Sequence, residues 1–190
     1  MADDIMAVPE ITVLGIGNVI LRDEGFGVRV AEHIDALYDF PDNVQVLDGG
    51  TLGPELLRFV TGTKNLLILD AVKGTGKPGT IYTFRDSNVD KHFQDKLSAH
   101  EIGIQDVLAL LDVTDRPIPH VTVMGAEPYD LEAGLELSEG LKKLVPKLTD
   151  MAIDELRSWG VDVREKKEHG RENIGKVAEE SVRERIDAAM

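Results

Sequence analysis

Cysteine is absent from the 190 residues. Its absence excludes disulfides, thiolate zinc sites and a cysteine nucleophile together, and it removes any sign of an oxidising compartment. Positive charge is scarce. Twenty-one Lys and Arg stand against 35 Asp and Glu, a net charge of −14. Such a surface repels phosphate backbones and anionic lipids, so neither nucleic acid nor a membrane is an expected partner. It serves solubility, or a partner with a basic face. No stretch approaches the roughly 18 apolar residues of a membrane span. The opening MADDIMAVPE has no basic n-region and no apolar h-region. No signal peptide is read there, and a cytoplasmic location is expected.

What is present is an alternation of strands and helices. Ile11–Ile16 reads as a buried strand, followed by a helix over 25–37 on the apolar spacing of Phe26, Val30, Ile34 and Leu37. Residues 44–47 form a second strand, ending at Asp48-Gly49-Gly50. Gly53-Pro54 opens a short helix with an apolar stripe of Leu56, Leu57 and Val60. Asn65-Leu66-Leu67-Ile68-Leu69 is an unbroken apolar strand ending at Asp70, as a central parallel strand requires. Residues 80–84 alternate, and no helix separates them from the third strand, so an antiparallel edge strand is expected. A helix over 102–111, a fifth strand over 120–124 and a long helix from about Leu135 to Trp159, with Pro146 as its kink or break, complete the pattern. The fold class is therefore α/β: a mostly parallel sheet of five strands between two helical layers. One domain is expected over 1–163. Residues 164–190, rich in charge and poor in large apolar side chains, read as a loose or partly helical tail.

Several constellations bear on chemistry. Gly15-Ile16-Gly17 after the first strand invites a dinucleotide-binding reading, but position 20 is Ile where GxGxxG needs glycine. Asp23 and Glu24 then bring two carboxylates to the expected helix start, which opposes a phosphate there. Asp23 suits an N-cap. Glu24 sits where the loop opens toward the carboxyl edge of the sheet. Asp70 ends an apolar strand, where the sheet rather than solvent preference places it, and ligands of doubly wound sheets bind beyond those strand ends. Asp48 either lines the same crevice or caps the Gly49-Gly50-Thr51 turn. His100, in Ser98-Ala99-His100-Glu101-Ile102-Gly103, precedes a helix and has no second histidine at position 104 to make a zincin. His33, His92, His120 and His169 have less in their favour, and no GxSxG elbow marks a catalytic serine. Glu24, Asp70 and His100 thus stand on three loops at one side of the sheet. Two carboxylates and an imidazole are a donor set for a first-row divalent ion with coordination positions left open.

In combination, GIGNVILRDEGFGVRV, VLDGGTLGPELL, LLILDAV, GTIYTFRD, SAHEIGIQDVLALL and VTVMGAEP resemble the hydrogenase maturation endopeptidases, in order from about Ile11 to about Val161. The tail lies outside the likeness. The resemblance implies a twisted five-stranded α/β/α fold. It implies an endopeptidase that removes a short C-terminal extension from the precursor of the nickel–iron hydrogenase large subunit after nickel insertion. It also assigns metal contact to Glu24, Asp70 and His100, with nickel arriving on the precursor and cadmium or zinc as substitutes. Asp70 or Glu24 would act as general base, or the metal would polarise the reacting groups. Competing readings are a metal-dependent hydrolase of the same fold acting on another protein, a non-enzymatic nickel-sensing chaperone, and a nucleotide-binding module.

Overall fold

The computed structural model describes residues 9–86, 89 and 108–166. Seven strands occur among these. They are β1 (Ile11–Ile16), β2 (Tyr38–Asp39), β3 (Val44–Gly50), β4 (Asn65–Ala71), β5 (Ile81–Arg85), β6 (His120–Ala126) and β7 (Arg164–Glu165). Five form one sheet in the order β3-β1-β4-β6-β5. The first four run parallel, and β5 pairs antiparallel with β6 at the edge, as its alternation and missing crossover helix foretold.

β4 shows why its sequence is apolar throughout. Leu67 and Leu69 face one core cluster, while Leu66 and Ile68 face another. The first cluster is covered by α1 (Phe26–Leu37), through Phe26, Val30 and Ile34. A second helix, Val145–Ser158, lies beside α1 and adds Leu148, Ala152, Ile153 and Leu156. The second cluster is covered by Leu56, just before α2 (Leu57–Val60), by Val60 at the end of α2, and by Leu111 of the helical residues 108–113. The rest of the helix expected over 102–111 lies outside the described residues.

The long helix expected from Leu135 is corrected. The structure has a single turn, α3 (Glu139–Lys142), and a separate α4 (Val145–Ser158). Ser138 starts α3, its Oγ accepting from Leu141 N at 3.3 Å. Pro146 is in the first turn of α4, where its missing N–H has no intrahelical partner to lose. The interruption falls at 143–144, so the break expected at Pro146 is found two residues before it and Pro146 opens the second piece. Leu135, where the helix was expected to start, is exposed and lies in the loop after β6, as does Leu131. At the far end of α1, β2 and β7 make a two-residue antiparallel clip, Tyr38 opposite Glu165 and Asp39 opposite Arg164. The first residues of the charged segment are thereby joined to the domain, and Lys166 N donates to Leu37 O at 2.8 Å.

Candidate active site

β1 lies between β3 and β4, so the connections leaving β1 and β4 turn away from each other at their carboxyl ends. That divergence opens the crevice of a doubly wound sheet. Glu24 follows β1, in a 3₁₀ turn over Arg22–Gly25, and Asp70 is the penultimate residue of β4. The two expected carboxylates therefore flank the switch point.

The glycines around them have a structural purpose. Gly17 has φ +128°, and a Cβ there would meet the Glu24 carbonyl oxygen at 1.8 Å. A Cβ on Gly27 would meet Leu69 O at 2.0 Å and Ile16 O at 2.6 Å. The turn carrying Glu24 is thus pressed backbone to backbone onto the ends of β1 and β4, one residue from Asp70. The GxG segment of the first loop serves this close approach, not a phosphate cradle. Asp70 is 2% exposed, and its Oδ1 accepts from Ala71 N at 2.7 Å. Glu24 is half-buried.

Asp23 does not cap α1, whose N-cap is Gly25, and no side chain caps the preceding turn. It is fully buried. Oδ2 accepts from Tyr129 N (2.8 Å), Asp130 N (3.0 Å) and Ser138 Oγ (2.8 Å), and Oδ1 accepts from Ser138 N (2.7 Å). A carboxylate with these donors replaces its lost hydration and locks the loop after β6 to the Glu24 turn. Nothing local in the sequence marks this role, because its partners lie 106–115 residues downstream.

Asp48 takes the capping alternative. It is exposed, and its Oδ1 accepts from Gly50 N at 2.9 Å. His33 is buried between α1 and α4, its Nδ1 3.0 Å from Thr149 Oγ1, and burial holds its pKa below the ordinary value against the pull of Asp150. His120 is exposed, 3.8 Å from Asp86. His100, Ser98, Glu101, His92 and His169 lie outside the described residues. Among the described residues no group of three or more His, Cys, Asp or Glu is assembled for a metal, and the third member of the expected trio is His100.

Glu127 is a further acid at the carboxyl edge that the sequence pattern alone did not single out. It follows β6 as Asp70 ends β4, so the same signal, an acid closing an apolar strand, was available. It is buried and accepts from Gly74 N and Tyr82 Oη, each at 2.8 Å. Tyr82 Oη in turn accepts from Gly76 N at 2.7 Å. Burial and then the Glu127 carboxylate push the Tyr82 phenol upward, so it keeps its proton and ties down the loop after β4.

With this geometry in view, residues 28–155 match the family model described as hydrogenase maturation protease. The chain belongs to the hydrogenase maturation protease family. The hydrogenase 2 maturation protease of Escherichia coli K12 is 37% identical over 153 residues, covering 80% of this chain and 93% of that protein. The hydrogenase expression/formation protein HupD of Rhizobium leguminosarum is 40% identical over 157 residues, covering 82% and 78%. The solved structure of the hydrogenase maturating endopeptidase HybD from E. coli superposes with a TM-score of 0.80 at 35% identity, over 84% of this chain and 99% of that one. This hydrogenase maturation protease is accordingly a hydrolase that processes hydrogenase, on the α/β fold the strand pattern foretold. No helix among its described residues is long and apolar enough to cross a membrane.

Proposed function

We propose that the chain is the endopeptidase that removes a short C-terminal extension from the nickel-loaded precursor of a nickel–iron hydrogenase large subunit. The observation that carries this reading is the pair of carboxylates at the switch point, Asp70 at the end of β4 and Glu24 on a turn packed against it. Together with His100 they supply two oxygen donors and one nitrogen donor, which suit a first-row divalent ion. Nickel belongs to the substrate here. The site reads whether the precursor is loaded, and cadmium or zinc fits the same donors. Glu24 or Asp70 takes a proton from the attacking water, the hydroxyl adds to the scissile carbonyl, and the departing amine receives the proton. The enzyme works in the cytoplasm, where such a precursor is assembled.

Mass spectrometry of nickel-loaded precursor incubated with the protein tests this. The expected result is loss of one C-terminal peptide, abolished in Asp70→Asn and in Glu24→Gln. An unchanged precursor mass, or cleavage at the wild-type rate by both variants, would sink the assignment.

A further inference from the structure

The carboxyl edge bears more apolar surface than a two-carboxylate site needs. Ile20, in the loop after β1, is 59% exposed. Tyr129, Leu131 and Leu135, in the loop after β6, are 52%, 46% and 42% exposed. The two loops are one rigid piece. Leu21 and Gly134 form a parallel β-bridge. Gly134 N donates to Ile20 O and Arg22 N to Gly134 O, both at 2.9 Å, and Asp23 N donates to Asp130 O at 3.2 Å. The Asp23 carboxylate closes the junction from below. A recess of about 290 Å³ opens beside Leu135, with Arg22, Glu136 and Lys142 among its walls.

Four exposed large apolar side chains gathered on two hydrogen-bonded loops are more than the scattered apolar surface of an ordinary fold, and such groups mark interaction sites. Two features identify its occupant. First, the patch adjoins the active site, since Ile20 stands four residues before Glu24 on the same loop, which is hydrogen-bonded to the loop that carries the other three. Second, acids outnumber bases around it. From Glu127 to Glu139 the chain carries five acids and no base. Glu132, Glu136 and Glu139 are exposed, and Arg22 and Lys142 offset only Asp130 and the Glu136–Glu139 pair.

We infer that Ile20, Tyr129, Leu131 and Leu135 form the docking surface for the protein substrate, taking a segment in which apolar side chains are flanked by lysine or arginine. This rests on the reading of the substrate as the large-subunit precursor. Docking here sets KM and leaves the chemistry to Glu24 and Asp70.

The test uses the full chain with Ile20→Ser, Leu131→Ser and Leu135→Ser combined, Tyr129 being kept because it also packs on Gly79 and Gly140. Truncating three half-exposed apolar contacts should raise KM for nickel-loaded precursor at least about tenfold, with kcat within about twofold. A single Leu131→Arg variant should raise KM in the same direction if the triple variant folds poorly. Titration calorimetry with precursor is run in parallel on Asp70→Asn, with and without the triple substitution. It should show at least a tenfold weaker Kd without any need for cleavage. Unchanged KM and Kd in the presence of normal wild-type cleavage overturn the docking surface and leave the protease assignment standing. Absence of wild-type cleavage, with a Kd still weakened by the triple variant, overturns the assignment and leaves the docking surface standing. An unchanged KM together with a loss of self-association in sedimentation assigns the face to a second copy of the chain and overturns the inference.

Discussion

Asp23 and Glu24 are adjacent acids put to different uses by burial. Asp23 is sealed in and feeds its charge to donors on a distant loop, while Glu24 is left half-open at the crevice. Asp23→Ala leaves the amides of Tyr129, Asp130 and Ser138 without their acceptor. It should destabilise the fold by about 3–5 kcal/mol, read as a lower urea midpoint. A loss below about 1 kcal/mol would show that the loop is held by other contacts. Gly27→Ala places a methyl where Leu69 O already sits. It should lower the thermal midpoint and abolish processing together, because the Glu24 turn must lift off β4. Asp70 was legible from sequence, since burying a carboxylate at the end of an apolar strand is costly unless a ligand or a set of donors meets it there. Glu127 carried the same signal, but a proline and a tyrosine follow it where Asp70 is followed by further apolar residues, and the signal is weaker for that. Asp23 looks like a cap because capping is a local rule, and the donors it actually meets are set by tertiary packing.

Elements were most legible where a strand was buried on both faces. β1, β4 and β6 fall within two residues of their expected bounds, because continuous apolar runs leave little choice. The region after β6 was not legible. A helix was expected from Leu135, yet the backbone just before it bonds to the β1 loop instead. Pro146→Ala should change stability by less than about 1 kcal/mol, since proline in a first helical turn sacrifices no hydrogen bond. A large stabilisation would mean that it does interrupt a longer helix. The α1–α4 contact contains His33, kept neutral by burial with a pKa below the 6.5 of the unfolded chain. Between those two values the unfolded chain binds the additional proton. Stability therefore rises with pH across that window and is fully present above 6.5. The urea midpoint should fall on acidification below about pH 6.5, and His33→Gln should lose this part of the slope. Glu155 acts in the same direction at lower pH. Hydrogen bonds from Arg85 and then Thr122 hold its carboxyl below the ordinary value against desolvation. Its contribution is present above 4.5 and is lost as pH falls through the depressed value.

At the scale of the whole molecule, composition excluded more than it assigned. A net charge of −14 argued against anionic partners, and self-repulsion of that size should make the thermal midpoint rise between low salt and about 0.3 M sodium chloride. A midpoint insensitive to salt would show the acids to be dispersed or locally paired. Sheet order, not charge, brings Glu24 and Asp70 to one edge, and the alternation of strands and helices was enough to foresee it. The interlocking of Gly17 and Gly27 with the strand ends has a thermodynamic side. Where backbone meets backbone, at the Glu24 turn and the start of α1, little conformational freedom is left to surrender when a partner arrives. The entropy of docking at that turn then falls mainly on the incoming polypeptide. A segment already restrained before the encounter should then be captured more tightly than the same segment left loose.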